Sequence, residues 1–242
     1  MTLVTRDILG VAVTSAPMDA MIAHLDARLE AGERIKLGFL NAHASNLAAK
    51  IPAFRAALHG FLILNDGIGI DIASRRLHGE RFPENLNGTD FVPAYIQRTA
   101  KPRRIYLLGG RPGVAEDAAA RLKTLAPRHQ IVGVQNGYFP PDETAAIVAA
   151  IAAARPDILL VAFGNPAQEL FIARHFADLG VPLAIGVGAL LDFLSGRAVR
   201  APGVFRAARI EWVWRLAREP GRLWRRYLLG NSQFLWRVIR KG

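Results

Sequence analysis

The chain is predicted to fold as an α/β protein: a Rossmann-like, mostly parallel sheet flanked by helices, with a basic helical appendage at its C-terminal end. Three observations predict this. Apolar runs of strand length alternate with segments of helical spacing. Most strand-to-helix junctions are polar or glycine-bearing, as in Leu64-Asn65-Asp66-Gly67-Ile68-Gly69-Ile70-Asp71. Positive charge and tryptophan collect beyond residue 200.

At 242 residues, 51% of them hydrophobic, the chain has material for one large α/β domain or a domain with an appendage. The boundary is expected at residue 200, with an α/β catalytic domain over 1–199 and a membrane-associating appendage over 200–242. Within a net charge of +11, residues 200–242 carry eleven Lys or Arg against two Glu, a net of +9, leaving +2 for the rest. All four Trp, at 212, 214, 224 and 236, lie in the same segment. A basic, Trp-rich segment points to an anionic surface. With no cysteine there is no disulfide framework or thiolate zinc site, which fits a reducing compartment. The start of the chain lacks the charged and apolar regions of a secretory signal, and no apolar run reaches the roughly 18 residues of a membrane span. A cytoplasmic protein, peripheral on the inner face of the membrane, is expected.

Asp7 to Val13 alternates loosely and is read as a strand; Pro17 to Ala31 has helical spacing. Ile35 to Leu40 is a second strand, followed by a helical run to His59. Phe61 to Leu64 has the length of a buried strand, and a helix is expected over Ile68 to Leu77. A polar loop, Gly79 to Leu86, leads to a capped helix start at Asn87-Gly88-Thr89-Asp90. Arg104 to Leu108 is a strand running into Gly109-Gly110-Arg111-Pro112-Gly113, and Val114 to Leu125 is an Ala-rich helix. Ile131 to Tyr138 is a strand, and Asp142 opens the next helix. Asp157 to Phe163, the most hydrophobic strand, belongs in the centre of a parallel sheet. Leu183 to Val187 is the last strand. In the appendage, Pro220 should stop a helix beginning at Arg209, and Gly230-Asn231 separates two further helical stretches.

The chemistry is expected at the Asp66 turn. A carboxylate at the carboxyl end of a strand stands where open α/β sheets place their ligands, and Gly67 and Gly69 ease close approach of the backbone. Asp66 is the candidate base; an unperturbed Asp, with a pKa of about 3.9, would be ionised at neutral pH. Asn41 either bonds a ligand hydroxyl or caps its helix. Thr89 and Asp90 read first as caps. Gly109 and Gly110 suit a phosphate at a helix start, although neither G-x-G-x-x-G nor a P-loop is present. Tyr138 and Phe139 either stack on a base or pack in the core. Pro166 suits a first helical position, which puts Gln168 and Glu169 in the first turn at the sheet edge.

Over nearly its whole length the chain resembles the WecG/TagA/CpsF glycosyltransferases. The residues that carry the resemblance are Asn41-Ala42-His43, Asn65-Asp66-Gly67, Asn87-Gly88-Thr89-Asp90, Leu108-Gly109-Gly110, Gly164-Asn165-Pro166-Ala167-Gln168-Glu169, Gly186-Val187-Gly188 and Ala201-Pro202, with Glu211-Trp212 and Arg215-Leu216 beyond. The resemblance implies an inverting enzyme that moves a sugar from a UDP-sugar to a lipid-diphosphate-linked sugar without a required metal or cofactor. It implies that Asp66 deprotonates the acceptor hydroxyl, that Gln168 contacts the reacting sugars, and that the segment from about Arg200 closes over the site and touches the membrane. This chain has Phe39 and Asn85 where many members carry Thr and Arg, so the donor sugar is not carried over.

Motif and resemblance together make Asp66 and Gln168 the catalytic candidates. The substrate-binding candidates are Asn41, Asn65, Gly67, Asn85, Thr89, Asp90, Gly109, Gly110, Tyr138, Gly164, Asn165, Glu169 and Gly188, with Arg215, Arg222 and Arg225 from the tail. The tail arginines serve either the leaving diphosphate or lipid headgroups. Expected partners are the UDP-sugar, the lipid-linked acceptor and an anionic membrane, with a homo-oligomer open and nucleic acid not expected. The competing reading is a basic nucleic-acid-binding α/β protein; a nicotinamide dehydrogenase is weakened by the missing fingerprint.

Overall fold

The structure, a computed structural model, describes residues 3–207 and 210–241, apart from the side chains of Arg206, Ala207 and Arg222. The elements follow in the order β1 (Val4–Asp7), β2 (Ala12–Ser15), α1 (Met18–Glu30), β3 (Ile35–Leu40), α2 (Ala42–Lys50), α3 (Pro52–Leu58), β4 (Leu62–Asn65), α4 (Ile68–His78), α5 (Gly88–Arg98), β5 (Arg104–Gly109), α6 (Val114–Leu125), β6 (Gln130–Gln135), α7 (Thr144–Ala154), β7 (Ile158–Ala162), α8 (Ala167–Leu179), β8 (Leu183–Gly186), α9 (Leu190–Leu194), α10 (Gly203–Ala207), α11 (Glu211–Arg218), α12 (Pro220–Trp224), a π-helical turn (Arg225–Leu229) and α13 (Gly230–Lys241). One 8-stranded sheet runs β1-β2-β4-β3-β8-β7-β5-β6. The β1–β2 pair is antiparallel and every other pairing is parallel.

Period-2 alternation divides the core. Leu37, Ile105, Leu107, Leu160 and Ile185 face one layer, with α1, α5, α6 and α9 over them. Leu40, Leu108, Leu159, Val161 and Ala184 face the other, under α2, α3, α4, α7, α8 and α13. Because strands buried on both faces need no polar alternation, β7 reads as Ile-Leu-Leu-Val-Ala and lies inside the sheet. All the parallel strands deliver their carboxyl ends to one rim, and β8 divides that rim. The β3–β4 pair lies on one side of it, and β7, β5 and β6 lie on the other.

Four expectations are corrected. Asp7 to Val13 is a hairpin rather than one strand: Leu9 and Gly10 take φ of 57° and 90°, and the Asp7 carboxylate accepts the Gly10 N–H at 3.0 Å. The helix expected to run to His59 breaks at Ile51, because Pro52 lacks the N–H to continue α2 and instead begins α3. Asp142 lies in a 3-10 turn that precedes α7. Gly230 does not interrupt the last helix, which passes through it from the π-helical turn. A glycine there costs about 1 kcal/mol, whereas α13 buries Phe234 and Val238 completely against the body, and burying such side chains is worth about 1.5–3 kcal/mol each.

The segment beyond Arg200 is therefore docked. Asn46 Nδ2 donates to the Gly230 carbonyl at 2.7 Å, and Arg237 donates to the Ser45 carbonyl and Asn46 Oδ1 at 3.0 Å each. Lys241 pairs with Asp7 at 2.9 Å. Pro220 ends α11 as expected and starts α12. Among the described residues no helix is long and apolar enough to cross a membrane.

Candidate active site

The rim and the docked tail enclose a cavity of about 1710 Å³. Asp66 lies one residue beyond β4 and continues its register, with the Asp66 N–H donating to the Leu40 carbonyl at 2.9 Å. Its side chain is held by Asn41, which does two jobs at once. Asn41 Oδ1 accepts the Ala44 N–H at 2.9 Å as the cap of α2, and its Nδ2 donates to Asp66 Oδ2 at 2.9 Å. The capping reading of Asn41 therefore holds, and its amide N–H is directed to Asp66. Gly67, at φ 88°, makes the turn and donates its N–H to Asn85 Oδ1 at 2.8 Å. Asn85 fixes the Asp66 turn as an acceptor, a role an Arg side chain cannot fill.

Asp66 lines the cavity, yet protein surrounds it closely enough that burial raises its pKa above the ordinary carboxylate value. The Asn41 N–H and the charges of Arg226 and Arg215 pull it back, and Asp90 pushes it up again. The expectation of an ordinary Asp is corrected here. His43, in the first turn of α2, also lines the cavity; burial first, then Arg226 and Lys50, lower its pKa to about 4, so its ring is neutral at pH 7.

Thr89 and Asp90 are not the caps of α5. Asn87 is: its Oδ1 accepts the Asp90 N–H at 3.0 Å and the Thr89 hydroxyl at 2.6 Å. That frees Thr89 and Asp90 to take Arg200 Nη2 at 3.2 and 2.8 Å, while Arg200 stands 3.8 Å from Glu211. The clamp ties α11 over the Asp66 turn.

Across β8 the rim differs in kind. Gly109, at φ 132°, has no room for a side chain, since a Cβ would stand 2.5 Å from the Ala162 carbonyl oxygen, and it packs on β7 away from the cavity. Gly110 does line the cavity, but its N–H is spent on the Ala162 carbonyl at 3.2 Å and so is not open to a phosphate. Tyr138 stands 69% exposed at the mouth. Behind it Phe139, Phe163 and Phe171 form an edge-to-face row, with ring centroids 6.0 and 5.2 Å apart.

Between the two sides, Gln168 joins the β7 and β8 loops: its Oε1 accepts the N–H groups of Gly164 at 3.2 Å and Gly188 at 3.0 Å. It is 3% exposed and lies against Gly186, where a Cβ would meet Nε2 at 2.8 Å. Gly164, Asn165 and Gly188 line the cavity; Asn65 and Glu169 do not. Asn65 is buried and donates to the Glu84 carbonyl at 2.8 Å, and Glu169 lies behind Gln168.

The tail supplies the roof through Trp212, Trp214, Arg215, Arg218, Arg226 and Tyr227. Arg225 is exposed and stacks on Trp224 at 5.3 Å, so Arg226 reaches the cavity in its place. The Arg222 side chain lies outside the described residues. Sequence reasoning missed Arg226, Arg218, Asn87 and Glu211 as site residues. Arg226 lies in the π-helical turn, whose course no local sequence signal marks. Among the described residues no group of three or more His, Asp or Glu is placed to hold a metal.

The arrangement puts a proton acceptor at the floor of a cavity roofed by cations, which suits removal of a hydroxyl proton beside an anionic leaving group. A family model described as the glycosyl transferase WecG/TagA/CpsF family matches residues 6–242. A Bacillus spizizenii protein, an N-acetylglucosaminyldiphosphoundecaprenol N-acetyl-beta-D-mannosaminyltransferase, is 32% identical over 183 residues, or 75% of this chain and 70% of that protein. This chain belongs to the WecG/TagA/CpsF family of glycosyl transferases.

Proposed function

We propose that the protein transfers a sugar from a UDP-sugar to a hydroxyl of a polyprenyl-diphosphate-linked sugar, with Asp66 as general base and inversion at the anomeric carbon. The observation that carries this reading is the Asp66 carboxylate, held by Asn41 on the cavity floor with Arg215 and Arg226 above it. Removal of the acceptor proton leaves the hydroxyl oxygen free to attack the anomeric carbon. The UDP departs with the charge that arginines can stabilise, so no metal is required for that step. The acceptor class follows from the Bacillus relative, which acts on a diphosphoundecaprenol-linked sugar by its name. Membership of a glycosyl transferase family favours this reading over nucleic-acid binding.

An enzyme with a lipid-linked substrate works at a membrane, and the tail suits one at the inner, anionic face. Trp224, Leu228, Leu229, Trp236 and Ile239 are exposed, with Arg225 and Arg240 stacked on Trp224 and Trp236. Amphipathic rings beside cations favour the headgroup boundary. Removing the tail would strip Phe234 from the core, so the cleaner comparison is Trp236→Ser with Ile239→Ser against the intact chain. Sedimentation with anionic liposomes should fall for the double variant, and unchanged sedimentation would remove the membrane from the reading.

The deciding experiment offers a panel of UDP-hexoses and UDP-N-acetylhexosamines with short-chain lipid-diphosphate sugars, in the presence of EDTA. UDP release together with a product one sugar heavier is the expected result. No product from any pair would overturn the assignment of donor and acceptor.

A further inference from the structure

Glu169 belongs to the motif that resembles the family pattern, yet it is 1% exposed and does not touch the cavity. Its Oε1 accepts two amide donors, Asn165 Nδ2 at 2.6 Å and Gln168 Nε2 at 2.8 Å. Its Oε2 is buried with no hydrogen-bond partner among the described residues. An oxygen shared by two NH₂ groups fixes which way both amides face, because a carboxyl oxygen without a proton can only accept. Gln168 must then turn its carbonyl to the Gly164 and Gly188 N–H groups, as it does. Asn165, which lines the cavity, must turn its carbonyl oxygen away from Glu169.

Resting on the sugar-transfer reading above, we propose that Glu169 is a positioning residue: it locks Asn165 so that an acceptor oxygen faces the transferred sugar, selecting a sugar that offers a hydroxyl or acetamido N–H there. Asn165 alone gives no such selectivity. An unanchored amide flips freely and offers donor or acceptor alike, whereas an anchored one penalises a sugar with nothing to donate, since a polar group desolvated without a partner is costly. Burial raises the Glu169 pKa to about 7, against the N–H groups of Gln168, its own backbone and Asn165. The lock survives protonation, because a proton on the unpartnered Oε2 leaves Oε1 free to accept both amides.

The test compares Glu169→Gln, which keeps an accepting oxygen, with Glu169→Met, which keeps the volume and loses it. With the UDP-sugar that the wild type uses, Glu169→Met should raise KM at least tenfold with kcat changed less than threefold, and Glu169→Gln should stay within threefold on both. Equal impairment of both variants, or a wild-type KM in Glu169→Met, would overturn the proposal. A second readout needs no turnover. The Asn165 side-chain amide protons, identified by their loss in Asn165→Asp, should exchange slowly in the wild type and Glu169→Gln, and at a solvent-like rate in Glu169→Met. Slow exchange in all three would overturn the lock even if no UDP-sugar is a substrate; absent turnover with the expected exchange pattern would leave the lock standing and sink only the sugar-transfer reading.

Discussion

The two sides of the cavity rim are built from different materials. On the β3–β4 side, side chains hold side chains: Asn41 grips Asp66, Asn87 orders Thr89 and Asp90, and Arg200 clamps both to the tail. On the β5–β7 side the backbone and aromatic rings make the shape, through Gly109, Gly110, Gly137 and the Phe139-Phe163-Phe171 row. One side concentrates carboxylates under a cationic roof, and the other offers aromatic surface, with Arg111 beside Gly110 at its edge. A charged side suits proton transfer and a diphosphate; a flat aromatic side suits a nucleobase.

The largest expected effect falls on the charged side. Asp66→Asn should lose about 10²–10⁴-fold in kcat, the usual worth of general-base help, while binding UDP as the wild type does. Because burial disfavours the charged form, the neutral variant should melt no lower than the wild type at pH 7. The sign of the pH dependence follows. The proposed base must be ionised to act, and the Asp66 pKa is raised from the ordinary 3.8, so wild-type kcat should fall as pH drops through a value above 3.8. An acid limb at or below that value would show that Asp66 is solvated, and loss of UDP binding in Asp66→Asn would erase the division between the two sides.

Next is the contact that holds the roof to the charged side. Phe234, on the inner face of α13, is fully buried against the body, and Phe→Ala in a core typically costs about 3–5 kcal/mol. Phe234→Ala should lower unfolding free energy by that amount in urea titration and reduce kcat well before the body unfolds. A stability loss below about 1 kcal/mol would mean that α13 contributes little to holding the roof.

Behind the partition, Glu169 links stability to pH. Its pKa is raised from 4.5 to about 7, so the folded protein binds this proton more tightly than the unfolded chain. Its contribution is full below pH 4.5 and is lost as pH rises through about 7, to the extent of about 3 kcal/mol at 1.36 kcal/mol per unit. Glu169→Gln cannot lose it, so its stability relative to the wild type should climb over that window and then flatten. Parallel curves would show that the carboxyl is not desolvated.

The contrast between the sides also explains what the sequence disclosed. Asp66, Asn41 and the strand ends were legible because a polar residue closing an apolar run marks the carboxyl rim of the sheet, and the sheet followed from the same alternation. Asn65, at the end of the same run, packs inward instead. Glu169 looked like a ligand because spacing places a residue on a turn without saying which way it faces. Gly110 looked like a phosphate donor because its amide's use by Ala162 is a tertiary contact. Arg225 and Arg226 are adjacent cations that composition alone does not separate, and only the path of the π-helical turn sets Arg225 on Trp224 and Arg226 at the cavity. The hairpin at Leu9-Gly10 was lost for a related reason: a positive φ at Leu9 is imposed by the pairing of β1 with β2.

The roof yields a smaller and more selective effect. Arg226→Gln should lower kcat about 10- to 100-fold, in line with about 1.5–3 kcal/mol for a charge-assisted bond to the departing UDP, and should lift the His43 pKa further above about 4 than Arg225→Gln does, since Arg226 helps to depress it. NMR titration of the His43 ring reads this without substrate. Equal effects from the two substitutions would return Arg225 to the site.

Tyr138→Ala is expected to be the mildest and tests the flat side alone. The ring stands at the mouth, 69% exposed, on the loop after β6, so losing it should cost only the stacking of one base face, about 0.5–1.5 kcal/mol. That corresponds to a rise of roughly twofold to tenfold in Kd for UDP by calorimetry, with the acceptor KM and the acid limb of kcat unchanged. A shift in the acid limb would mean that Tyr138 is coupled to Asp66 across β8. The sharp difference between the two sides would then describe how the rim is built without describing how it works.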